Sequence, residues 1–284
     1  MSLLDTLRPR GDAVEVPLVY LRDAVVFPYS IAPILAATKF CVAAADEAGK
    51  GNKTIFISLL KKVPVDGAND IDVHEVGTLA RIVQAVKLAD GTTRLLVEGL
   101  KRASMRRTIF RKEYLGALVD EIEEDDGRAG MTEDAVKEMD ALEQILRRDF
   151  TAYSELAKKI PAETLHAVQR SDEPHRLCSI ITNAIGLKVE KKQELLSIRG
   201  ARERLEATAQ TLSQEVELLA IQKRIGQKVR ARMDKSQKDY FLQEQLREIN
   251  RELGRDDEEN ENTELLKRIR SEERRVGKEC RSRW

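Results

Sequence analysis

One stretch constrains this chain more than any other. From Ala201 to Leu253 there is no proline, and Gly226 alone interrupts strong helix formers until Gly254 offers a C-cap. A single helix over that stretch would be about 80 Å long at about 1.5 Å per residue. Leu205, Ala209, Leu212, Val216 and Leu219 step by four and three, and so do Leu242, Leu246, Ile249 and Leu253. A small domain cannot cover such a rod. Its far half must therefore meet another subunit, a further domain or a client polypeptide.

Upstream the periodicity changes twice. Residues 13–122 read as strands: Val14 to Leu18 alternates, and Thr54 to Leu60 is a short apolar run of β-favouring residues. Leu79–Leu88 and Thr92–Val97 flank Ala89-Asp90-Gly91, a hairpin turn that needs positive φ. Alternation there sets Ala80, Ile82 and Gln84 on one side and Arg81, Val83 and Ala85 on the other. Lys39 to Ala48 is an alanine-rich helix stopped by Gly49-Lys50-Gly51-Asn52. One helix among several strands predicts a small barrel that leaves no exposed edges. The acidic run Asp120 to Gly127 marks its boundary. Residues 128–200 read as a helical bundle, with Thr132 as an N-cap, Val136, Met139, Leu142, Ile145 and Leu146 on one face, and helix starts at Pro161 and Pro174. The fold class is thus α+β: barrel, bundle, then a long helix over residues 201–254, with residues 255–269 as a charged, solvated linker.

Chemistry of the catalytic kind is missing. Lys plus Arg (49) balances Asp plus Glu (49), so no overall field draws the chain to nucleic acid or an anionic membrane. No apolar run approaches the ~18 residues of a membrane span, and the first ten residues lack a signal-peptide core. Three cysteines, Cys41, Cys178 and Cys280, stand far apart without CxxC spacing, which points to a reduced compartment. No G-x-x-x-x-G-K-[ST] loop occurs. His74, His166 and His175 lack metal-ligand spacing and are read as surface or capping residues. Catalytic, cofactor-binding and metal-binding residues are therefore expected to be absent. Arg22-Asp23 reads as a turn pair, and Pro28 and Pro33 as shapers of the loop at the barrel mouth. Lys101-Arg102, Arg106-Arg107 and Arg111-Lys112 form a basic cluster without interleaved aromatics, best taken as a solvated strand face. Met233, Tyr240 and Phe241 are the candidate contact residues: large apolar groups on a rod with nothing to cover them, suited either to unfolded chains or to helix–helix packing.

Three segments in order carry a family resemblance: Leu18-Val19-Tyr20-Leu21-Arg22-Asp23-Ala24-Val25-Val26-Phe27-Pro28; Val76-Gly77-Thr78-Leu79-Ala80-Arg81-Ile82 with Val97-Glu98-Gly99-Leu100-Lys101-Arg102-Ala103; and Met233-Asp234-Lys235-Ser236-Gln237-Lys238-Asp239-Tyr240-Phe241-Leu242-Gln243-Glu244-Gln245. Over residues 13–269 the chain resembles the N-terminal part of Lon-family ATP-dependent proteases. That resemblance implies a PUA-like barrel, a helical bundle and a long helix. It implies a cytoplasmic, homo-oligomeric ring, a hexamer in the parent, whose partners are unfolded or damaged proteins, with no membrane and no nucleic acid. It also implies that ATP and magnesium belong to an ATPase module, and hydrolysis to a Ser-Lys module, that lie beyond this chain. Residues 270–284 resemble instead the translation of a common sequencing adapter, and are expected to be foreign to the family. The alternative reading is a stand-alone PUA-like RNA-binding or scaffold module.

Overall fold

The computed structural model describes residues 13–61, 71–126, 128, 130–157, 160–253 and 265–269. Residues 270–284, Gly254 and most of the 255–269 linker lie outside them. The chain divides into two units, Met1–Ala220 and Ile221–Trp284.

The first unit opens on β1 (Val14–Leu21), β2 (Ile31–Ala36), α1 (Lys39–Lys50), β3 (Thr54–Leu59), β4 (Val76–Lys87), β5 (Thr93–Phe110) and β6 (Leu115–Glu121). Strand order is β2-β5-β4-β3-β1-β6, and an additional β5–β6 pairing closes the ring. β5 makes closure possible through its 18 residues: Thr93–Ser104 pairs with β4, while its other edge pairs first with β2 and then with β6. Among the described strands only β1 and β3 run parallel. α1 starts at Thr38, whose hydroxyl accepts from the Cys41 N–H at 3.3 Å. Its buried Cys41, Ala44, Ala45 and Ala48 pack into the same core as Leu18, Ile55, Phe56, Leu95 and Ala117.

Local rules explain most of the barrel. Gly91 takes φ +83°, and the Asp90 carboxylate accepts from the Thr92 N–H and hydroxyl at 2.9 and 2.7 Å, fixing the expected Asp-Gly turn. Two expectations need correction. Ala80 and Ile82 are buried as alternation requires, but a β-bulge between Ile82 and Gln84 breaks the phase and leaves Gln84 exposed with Val83. Pro33 is not in a loop. It sits within β2, which pairs only with β5, and an edge strand tolerates a residue with no N–H to donate.

The bundle comprises α2 (Glu133–Ala157), α3 (Ala162–Arg170), α4 (Pro174–Ala184), α5 (Val189–Ser197) and the start of α6 (Ala201–Glu252). Thr132 caps α2, accepting from the Ala135 N–H at 3.4 Å, and Pro174 occupies the first turn of α4. Met139, Leu146, Phe150, Val168, Leu177, Ile181, Leu205 and Leu212 share one core. The Tyr153 hydroxyl accepts from the Gly186 N–H at 3.0 Å, which ties the end of α2 to the turn after α4. Ile145, expected on the inner face, is 36% exposed at its edge. Among the described residues, no helix is long and apolar enough to cross a membrane.

Candidate functional site

Exposed apolar side chains concentrate in the second unit. Along residues 221–253 of α6 and its end, Ile221, Ile225, Val229, Met233, Tyr240, Phe241, Leu242, Leu246, Ile249 and Leu253 are all about half or more exposed. Such density on one helix is uncommon on the surface of a soluble domain. At about 100° per residue, Ile221, Ile225, Val229, Met233 and Tyr240 fall within an arc of about 120°, whereas Leu242, Leu246, Ile249 and Leu253 fall within about 60°. The centres of the two stripes lie roughly 110° apart around the helix axis. The first steps mostly by four. The second steps four-three-four, the spacing of a helix–helix seam.

Met233, at 59% exposure, and Tyr240, at 68%, therefore share one face. Phe241, equally exposed, projects off both stripes and lines a shallow groove with Asp234, Gln237, Lys238 and Leu242. Sequence reasoning singled out these three together; the helix brings two of them to one side.

The basic cluster of the barrel behaves differently from a free phosphate-binding face. Lys101 pairs with Glu121 at 2.6 Å, Arg106 with Asp120 at 2.5 Å and Arg111 with Glu15 at 2.7 Å. Arg102 is fully buried, not solvated, because this part of β5 is covered by the bundle. Its Nε donates to the Glu124 carboxylate at 2.8 Å, and its Nη1 donates to the carbonyls of Leu196 (3.1 Å) and Ile198. His175, read from sequence as a surface or capping residue, is also buried there, 4% exposed at the start of α4. Neither burial had a local signal, since the side-chain contacts join residues 22 to 96 positions apart.

Arg22 and Asp23 border a cavity of about 450 Å³ beside the start of α1, with Tyr20, Pro33, Thr38 and Cys41. Cys41 there is buried and its thiol is pushed up by desolvation, away from the reactive thiolate. Among the described residues no cluster of three His, Cys, Asp or Glu has the arrangement to hold a metal ion.

A closed barrel with one packed helix, joined to a helical bundle and followed by a helix bearing exposed apolar stripes, defines a binding module. The family model described as the ATP-dependent protease La (LON) substrate-binding domain matches residues 15–214, and the chain belongs to that family. It is 34% identical to a Lon protease of Azospirillum brasilense over 276 residues, covering 97% of this chain and 33% of that protein. It is 34% identical to the Lon protease of Escherichia coli K12 over 259 residues, 91% of this chain and 32% of that one. The chain thus spans about a third of the length of these curated relatives. In fold it is similar to the N-terminal domain of a Mycobacterium avium complex Lon protease, with TM-score 0.57 and 23% identity over 70% of this chain and 98% of the other.

Proposed function

We propose that the chain captures unfolded or damaged polypeptides for a cytoplasmic Lon-type, ATP-dependent protease and does no hydrolysis itself. ATP and magnesium would act in the two thirds of such a protein that have no counterpart here. The observation that carries the reading is the exposed stripe Ile221–Tyr240 on α6, since apolar area left in water is favourable to cover and Met233 adapts to varied partners. Met233, Tyr240 and Phe241 are its proposed client contacts. The stripe Leu242–Leu253, with its seam spacing, is the proposed contact between copies in a homo-oligomer, a hexamer in the parent. Pairing of Lys101, Arg106 and Arg111 with carboxylates supports a protein client over RNA phosphate.

The test is binding of a fluorescent, reduced and carboxymethylated polypeptide to the purified chain, followed by anisotropy. Two apolar side chains contribute about 1.5–3 kcal/mol each when fully buried. Met233→Glu with Tyr240→Glu should therefore weaken binding at least tenfold without shifting the unfolding of the first unit. Unchanged client affinity in that variant would remove α6 from the binding surface. Salt-dependent RNA binding, stronger than client binding, would favour the alternative module.

A further inference from the structure

The barrel and the bundle meet over a buried polar cluster that client capture does not use. His175 Nε2 lies 2.8 Å from the Asp125 carbonyl oxygen, which can only accept, so Nε2 carries the ring proton. Nδ1 is then the acceptor. It faces Arg102 Nη2 from β5 at 3.2 Å and Arg204 Nη1 from α6 at 3.5 Å. Both arginines are essentially fully buried. Arg204 also donates to the Ser179 hydroxyl at 2.9 Å. Glu124 is the carboxylate bonded to Arg102, and it accepts from the Tyr29 hydroxyl at 3.4 Å. Arg176, next to His175 on α4, places its guanidinium 5.3 Å from the centre of the Tyr29 ring. Asp125 supplies its carbonyl and has further interactions of its own. α5 faces the cluster with the Leu196 and Ile198 carbonyls.

We propose that this junction is a proton-operated clasp, holding the barrel on the bundle while His175 is neutral and releasing it when Nδ1 takes a proton. Protonation turns the acceptor at Nδ1 into a donor aimed at two guanidinium groups. It also gathers three positive charges where Glu124 is the carboxylate in contact. Desolvation first, then Arg102 and Arg204, hold the ring pKa below its ordinary value in the closed state, while Glu124 and the Asp125 carbonyl oppose them more weakly. The sign follows. An opened junction binds a proton more readily than a closed one, so the clasp is fully closed above the ordinary histidine pKa and loosens as pH falls below it. With an open-state pKa of about 6.5, the opening constant rises as pH falls through that value, by at most about tenfold between roughly pH 7.5 and 5.5.

Hydrogen exchange on the whole chain, corrected for the chemical exchange rate at each pH, reads this directly. The Ile122 N–H, which donates to the Arg102 carbonyl at 2.9 Å, and the amides of residues 193–199 should lose protection as pH falls, by up to that factor, while β3 holds its own. His175→Gln should be pH-flat at the same amides. Equal pH dependence in the two proteins would assign the opening to other groups and overturn the clasp. Should His175→Gln fail to fold, the wild-type ring decides: its Cε1 signal must still report a neutral imidazole at about pH 6.5, and half-protonation there would refute the inference.

Discussion

Gly99 offers the sharpest test of the barrel geometry. A Cβ added there would stand 2.1 Å from the Phe27 carbonyl oxygen, 2.9 Å from its carbon and 3.3 Å from Pro28 Cα, all of them backbone atoms that no rotamer change can clear. The loop is held at that distance by two bonds to the glycine itself. The Tyr29 N–H donates to the Gly99 carbonyl and the Gly99 N–H donates to the Ser30 carbonyl, both at 2.9 Å. Gly99→Ala must push the loop away. Overpacking of this kind costs ~1–3 kcal/mol, and each lost hydrogen bond ~0.5–1.5 kcal/mol, for a total near 4 kcal/mol. With a urea slope of about 2 kcal/mol/M, the unfolding midpoint should fall by about 2 M. Near-UV circular dichroism is the readout, because Tyr20 and Tyr153 are buried in the barrel and bundle cores. Gly49→Ala is the matched control. It lies exposed in α1 with nothing within 4 Å of its added Cβ, so it should gain up to ~1 kcal/mol of helix stability. A Gly99→Ala midpoint indistinguishable from wild type would refute the close approach of β5 to the 27–30 loop.

Two further substitutions probe the packing between elements. Arg102→Met takes the guanidinium from the Leu196 and Ile198 carbonyls, leaves Glu124 with the Tyr29 hydroxyl alone and His175 Nδ1 with Arg204 alone, and should cost about 3–5 kcal/mol by urea unfolding; Lys101→Met, which breaks only the exposed pair with Glu121, should cost under about 1 kcal/mol. Equal losses in the two would mean that Arg102 is not the bridge. Thr132→Ala removes the cap of α2 and should lower stability by about 1 kcal/mol, with amide protection lost first at residues 133–136; unchanged exchange there would show that the helix start is held by other contacts.

What the sequence made legible is what short-range physics decides. The absence of proline over residues 201–252, the Asp90-Gly91 turn, the Thr132 cap and Pro174 at a helix start each act within a few residues, and each stands in the structure. What it hid is decided at long range or by small departures from period. α5 is nine residues long, too short for a stripe, and buries only Gln193, Leu195 and Leu196. The bulge at Val83 is one extra residue that alternation cannot announce. The exposure of Met233 and Tyr240 could be read from a rod with no local cover, but their shared face and the separate course of Phe241 require counting turns. Arg102 looked like one more charge on a basic strand, and nothing in residues 101–112 says that the bundle lies over it.

That covering also explains why the barrel–bundle contact is polar. The two main cores do not merge. Among the described residues a small apolar cluster stands apart from both, Phe27, Val76 and Leu196, with Val25 and Ile122 against it. So little apolar area holds weakly and fixes no unique orientation. Direction comes instead from hydrogen bonds: Gln193 donating to the Val76 carbonyl at 2.8 Å, Arg199 to the Ser104 hydroxyl at 3.3 Å, and Arg102 to α5 and His175. Buried polar contacts of this sort cost nearly as much to desolvate as they return, and their balance shifts when one partner changes protonation. An apolar joint of the same size would be indifferent to pH; this one contains the ring of His175, which can take a proton.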